Sequence, residues 1–291
     1  MTRAPANHSP CTQEAPTLDS QTSFPNRKAH YDQRLEHHAK APCLAPTRCK
    51  PSPLDTDPPT MQLYIANKNY SSWSMRPWVL LRHFNIPFDE VMVRFDSMSP
   101  GDGFKQTMTA VTPAGRVPVL VDGDLVVWDT LAIAETLAER FPQHPLWPRN
   151  ASDRARARSL CAEMHSGFAA LRNAFPMNIE LSLPEVGQSV LAEQPEAAAD
   201  LARICAMWRQ ALAASGGPFL FGEFGTVDAF FAPVVSRLRS YALPVTEEMA
   251  AEVAAYMARV WANPGVAAWV AEALQEKTYV AFDEPYRNSR D

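Results

Sequence analysis

Three serines surround a tryptophan in Asn69-Tyr70-Ser71-Ser72-Trp73-Ser74-Met75-Arg76-Pro77, and the apolar run Trp78-Val79-Leu80-Leu81 follows directly. Serine is a preferred helix N-cap, and Pro77 suits a first helical turn, where no intrahelical N–H is lost. One serine suffices for a cap. A further hydroxyl has another use there, because the free N–H groups and dipole of a helix start favour an anion. It can donate to a thiolate. A free thiol of pKa about 8.5 is only a few per cent ionised near neutrality. Lowering that pKa by two units takes about 2.7 kcal/mol. A hydrogen bond to a charged group supplies roughly 1.5–3 kcal/mol and a helix N-terminus roughly 0.3–1 kcal/mol. Either Ser71 or Ser72 fits the activating place, and Ser71, first of the motif, is preferred. Ser74 reads as a cap or surface residue. Trp73 either walls a pocket or faces a subunit interface.

Three further groups could do chemistry. Arg116-Val117-Pro118-Val119 stands at a strand entrance, where Pro118 cannot supply a ladder N–H; a cis bond there would turn the Val117 backbone outward, free to pair with a peptide-like ligand. Asp129-Thr130 opens a helix, as a plain cap or as a holder of a ligand's amino and carboxylate groups. Cys161, His165 and Arg172 lie four and seven residues apart, close to one helical face. Arg172 there would favour an acidic or carbonyl-bearing electrophile. The plain alternative is a solvated or subunit-facing arginine and a satisfied histidine.

The elements that must position these groups follow from periodicity. Gln62–Ala66 predicts a strand, 75–85 a helix, and Glu90–Phe95 a second strand, followed by a polar loop. Val117–Val121 and Leu125–Trp128 flank Asp122-Gly123-Asp124, a hairpin signal, before a helix over 130–141. Three prolines in seven residues, 142–148, make a stiff connector. Beyond it the chain is helical. Leu160, Met164, Phe168 and Leu171 predict one apolar face, as do Val227, Phe230, Phe231, Val234, Val235 and Leu238, with further helices over about 192–214, 246–262 and 264–275.

Residues 1–60 differ from the rest. They hold 10 of the 26 prolines and 4 of the 7 histidines, with no Val, Ile or Trp. Such a segment cannot bury enough apolar surface to offset its ordering entropy, so it reads as a disordered, solvated tail. Met61 is the first methionine after Met1 and a candidate translation start. The expected organisation is a tail over 1–60, an α/β domain over 61–141, a linker over 142–150 and an all-α domain over 151–291.

Composition excludes several classes. A net charge of −5 argues against a nucleic-acid or lipid-surface binder. No apolar run approaches the ~18 residues of a membrane span. The five cysteines form no close metal pair and no even framework, which suits a reducing cytoplasm, and no metal is expected.

Taken in this order and spacing, residues 61–275 resemble the glutathione S-transferase family. The resemblance rests on "SSWSMRPW", on "TPAGRVPVL", on "WDT" and on "FLFGEFGTVDAFFAPVV", the last similar to the family's second-domain N-capping box. Gly225 stands where the cap hydroxyl usually is, while Asp228 keeps the third-position carboxylate. The resemblance implies a thioredoxin-like first domain, an all-helical second domain, a homodimer, and glutathione as co-substrate. It makes Ser71 the activating serine with Ser72 in reserve, Pro118 a cis-proline with Val117 as backbone clamp and Arg116 beside it, and Asp129 and Thr130 the holders of the γ-glutamyl end. Trp73, His165 and Arg172 would then line the site of a small electrophile.

The implied activity is transfer of glutathione to an electrophile. The serine motif is also similar to the zeta class, which isomerises maleylacetoacetate, although Trp73 replaces that class's cysteine. A disulfide-exchange enzyme is excluded, since Ser71 and Ser74 stand where Cys-x-x-Cys would be. A non-catalytic dimerisation or binding module remains the third reading.

Overall fold

The computed structural model of the protein describes residues 61–95, 103–245 and 250–290. The expectation for the tail over 1–60 lies outside them. A four-stranded sheet in the order β2-β1-β3-β4 is built from β1 (Gln62–Ile65), β2 (Asp89–Met92), β3 (Val119–Asp122) and β4 (Leu125–Val127). Strand β1 pairs parallel to β2 and antiparallel to β3, and β3 pairs antiparallel to β4. Between β3 and β4 the chain reverses at Gly123, whose φ of +60° is the left-handed region that glycine enters without a Cβ clash.

The period of two along β1 sorts its side chains onto two faces. Leu63 and Ile65 join the main core with Leu120, α1 (Ser72–His83) and α3 (Thr130–Arg140). Tyr64 and Val119 point into a second core with Phe95, Phe104 and Met108. Phe104 and Met108 belong to α2 (Gly103–Val111), a helix where a polar loop was expected. Their four-residue spacing is the signal that the polar residues around them obscure. The order is therefore β-α-β-α-β-β-α.

Helix α1 begins at Ser72, three residues before the expected start, so Pro77 is its sixth residue rather than part of the first turn. It is buried along most of its length against α8 (Thr226–Ser240) and α10 (Pro264–Glu276). Trp78, fully buried, meets Trp269 edge-on at 5.3 Å. The remaining helices are α4 (Ala151–Ser166), α5 (Ala169–Ala174), α6 (Pro184–Glu193), α7 (Pro195–Ser215) and α9 (Ala250–Ala262).

Two helical expectations are corrected. The face drawn through Leu160, Met164, Phe168 and Leu171 is split, because α4 stops at Ser166 and Phe168 turns through φ +57° before α5. Cys161 and His165 thus share α4 while Arg172 sits on α5. The helix expected over 192–214 is α7, opened by Pro195, and the helix before it, α6, was not expected. Helix α8 follows the expected pattern. Gly225 is its N-cap, and the Asp228 carboxylate accepts from the Gly225 N–H at 3.0 Å and the Leu220 N–H at 3.2 Å. Among the described residues no helix is long and apolar enough to cross a membrane.

Candidate active site at the heads of two helices

The site is built where α1 and α3 begin. Ser71 is the N-cap of α1, yet neither its hydroxyl nor that of Ser74 caps a helical N–H. The Ser71 hydroxyl lies 2.7 Å from that of Ser74, and Ser74 accepts from the Ala66 N–H at 3.3 Å. Ser74, expected as cap or surface, is fully buried, tying α1 to the end of β1. Ser71 donates to Ser74 here; rotation of the two hydroxyls, so that Ser74 donates to Ser71 instead, would free the Ser71 proton to point outward. Ser72 is the first helical residue, and its hydroxyl accepts from Arg237 Nη2 at 3.5 Å.

At the head of α3, Asp129 does what a cap does and more. One oxygen accepts from the Leu131 N–H at 3.3 Å, and the other lies 3.2 Å from His165 Nε2 on α4. Thr130 is buried, and its hydroxyl donates to the Trp73 carbonyl at 3.4 Å. That carbonyl is the one Pro77 cannot serve, since proline has no N–H to return to the residue four before it. Thr130 therefore joins the two helix heads.

Trp73 is the centre of the predicted substrate residues. Its ring lies 5.1 Å from the His165 ring, 5.4 Å from the Arg172 guanidinium and 4.3 Å from that of Arg76. The structure thus gathers Trp73, Asp129, Thr130, His165 and Arg172 into one cluster, although Arg172 comes from a different helix than His165. Burial lowers the Arg172 pKa, and Asp200 partly offsets it. Arg116, Val117 and Pro118 lie at the head of β3. The Val117–Pro118 bond is cis, Pro118 is buried, Val117 packs against the second core and Arg116 is exposed. Cys161 lies inside the core, where burial pushes its thiol well above the ordinary range, so it is an inert side chain.

Two site residues were missed by sequence reasoning. Arg76, fully buried, donates from Nε to the Phe230 carbonyl and from Nη1 to the Ser72 carbonyl, both at 3.0 Å. Burial, and after it the charges of Arg237 and Arg172, holds its pKa well below the ordinary value. Arg237, also buried, donates to the carbonyls of Phe175 at 2.8 Å and Pro233 at 3.1 Å, and burial brings its pKa down to about 10. A sequence signal existed for it. Arg237 follows Phe230 by seven and Val234 by three, so it is a cation on an apolar helix face.

The family model for the glutathione S-transferase N-terminal domain matches residues 70–140, and that for the C-terminal domain matches 189–272. Glutathione S-transferase 1 of Dianthus caryophyllus is 26% identical over 190 residues, covering 64% of this chain and 81% of its own length. A stringent starvation protein A homolog of Haemophilus influenzae is 30% identical over 169 residues, 58% of this chain and 74% of its own length. Among solved structures, a glutathione transferase homolog from Burkholderia with bound glutathione superposes with a TM-score of 0.52 at 23% identity, covering 74% of this chain and 98% of its own.

Proposed function

The chain belongs to the glutathione S-transferase family, and on that premise we propose that it binds glutathione and activates its thiol for attack on a small electrophile. The homodimeric state and the cytoplasmic setting are part of the same reading. The observation that carries it is the junction of two helix heads, α1 with its two serines and α3 with Asp129 and Thr130, through the Thr130–Trp73 hydrogen bond. Each head offers N–H groups and a dipole that favour negative charge. A tripeptide spanning them would set its thiol by Ser71 and Ser72 and its γ-glutamyl end by Asp129. The Val117 backbone beside the cis-proline supplies the peptide contact in between. Ser71, polarised through Ser74, is the first donor to the thiolate, and Ser72 is the second.

The electrophile would sit against Trp73, with His165 and Arg172 beside it. Arg172 supports an acidic or carbonyl-bearing acceptor, because a half-buried cation is satisfied by an anion or a developing oxyanion. Calorimetric titration with glutathione, followed by turnover of a general aromatic electrophile, tests the reading. Tight binding with turnover is the expected result. Binding without turnover of that or of a cis-enone substrate would make the chain a binding module, in keeping with its similarity to a relative whose name states no enzyme activity. No binding would overturn the proposal.

A further inference from the structure

Two guanidinium groups converge on Ser72 from inside the protein. Arg76 Nη1 reaches its carbonyl at 3.0 Å, and Arg237 Nη2 reaches its hydroxyl at 3.5 Å. One comes from α1 and the other from α8, the helix that α1 packs against. Neither forms an ion pair with any carboxylate among the described residues; Asp129 and Asp283 act on them only through longer-range attraction. Their other partners are the carbonyls of Phe230, Phe175 and Pro233 and, for Arg76, the rings of Trp73 and Phe230, none of which carries a negative charge. Arg76 Nη2 is buried and has no hydrogen-bond partner, and Arg172 adds a third cation close enough to depress both of the others.

A buried, uncompensated charge is strongly disfavoured unless an anion completes its surroundings. Two such charges flanking one serine at a helix N-terminus leave the head of α1 short of a negative charge. We propose that Arg237 is a positioning residue for the thiolate, holding the Ser72 hydroxyl by its oxygen so that the proton faces the sulfur, while its charge and that of Arg76 favour the ionised form. This rests on the glutathione reading above. In the step, the S–H proton leaves to solvent, the electron pair stays on sulfur, and the Ser72 proton remains on its oxygen as a hydrogen-bond donor.

The experiment compares the full chain with Arg237→Gln and Arg237→Lys. S-methylglutathione reports the tripeptide site alone, glutathione sulfonate adds an anion at the sulfur position, and ultraviolet absorbance of bound glutathione against pH reports the thiolate. The parent is expected to prefer the sulfonate over the S-methyl ligand by about tenfold or more. In Arg237→Gln, S-methylglutathione affinity should hold within about twofold, while the thiol titration moves upward by about one pH unit, a tenfold loss of thiolate on its acid side. Arg237→Lys should recover most of that shift, which a purely structural arginine would not require. An unmoved titration in a folded Arg237→Gln overturns the proposal. Should that variant not fold, equal affinity of the parent for the two ligands overturns it. Failure of the parent to bind S-methylglutathione overturns the ligand reading itself, a separate and visible outcome.

Discussion

The Thr130 hydroxyl lies 3.4 Å from the carbonyl oxygen of Trp73, the acceptor that Pro77 leaves without its helical N–H. A buried acceptor with one partner removed costs about 1–3 kcal/mol. Thr130→Val should lower the unfolding free energy by about that amount, and Thr130→Ser should restore it. Pro77→Ala returns an N–H to the Trp73 carbonyl, so Thr130→Val should cost at least about 0.5 kcal/mol less in that background. Denaturant midpoints of the four proteins measure the coupling. Strict additivity would show that the hydroxyl and the proline gap are unrelated.

Asp129 has two roles that separate by substitution. Its side chain accepts from the Leu131 N–H and faces His165 across the gap between α3 and α4. Asp129→Asn keeps a cap acceptor and removes the charge. Melting should then change little, since Asn is as good a cap as Asp, while glutathione KM rises about tenfold with kcat nearly constant, as loss of uniform binding requires. Asp129→Ala should show the same KM and an added loss of about 1 kcal/mol in stability. An unchanged KM in both would return Asp129 to a cap and nothing more.

Much of this arrangement was legible because its signals are local. Serine at a helix head, Asp-Gly between β-rich runs, and the apolar period of α8 each act within a few residues, whereas Pro77 misplaced the first turn of α1. What was hidden depends on contacts distant in sequence. Gly167 alone reads as tolerable inside a helix, and only the left-handed turn at Phe168 shows that α4 ends there. Helix α2 carries two buried residues in a polar stretch, too few to outweigh the loop signal. Arg237 meets Ser72 across 165 residues of sequence, and the apolar face around Arg237 signals a buried cation without naming this partner.

The buried Asp228 predicts a pH dependence. Burial raises its carboxyl from an ordinary 3.8 to about 6, against the lowering effect of the Leu220 and Gly225 N–H groups. The folded state therefore binds this proton more tightly than the unfolded chain, so stability from this group grows as pH falls from about 7 to about 4. The shift corresponds to about 3 kcal/mol. The difference in unfolding free energy between the parent and Asp228→Asn should be most in favour of the parent near pH 4 and shrink as pH rises through 6. A difference that grows with pH would reverse the sign of the desolvation argument. Asp228→Ala should lose about 2–4 kcal/mol near neutral pH and more toward pH 4, because it strands the Tyr256 hydroxyl, now 3.0 Å from the carboxylate, and also removes the titrating group.

The last prediction separates the two serines. Ser71 neighbours Ser74, which itself takes the Ala66 N–H; once a thiolate turns the Ser71 proton outward, Ser74 can donate to Ser71 and a chain of neutral hydrogen bonds raises its donor strength. Ser72 is backed by the Arg237 cation at longer range. A charge-assisted hydrogen bond to the thiolate is worth roughly 1.5–3 kcal/mol, or one to two pH units in the bound thiol. Ser71→Ala should raise the thiol pKa by that amount and lower turnover with a general electrophile about ten- to a hundredfold near neutrality, with partial recovery in alkali. Ser74→Ala should give a fraction of the same shift, because it removes only the backing. Ser72→Ala should give a smaller shift than Ser71→Ala, and in its presence Arg237→Gln should move the titration less than it does in the parent. The thiolate absorbance of bound glutathione against pH, read across these variants, orders the donors. A dominant shift in Ser72→Ala would make the arginine-backed serine the principal one, and no shift in any of them would leave the three hydroxyls as scaffolding for the start of α1.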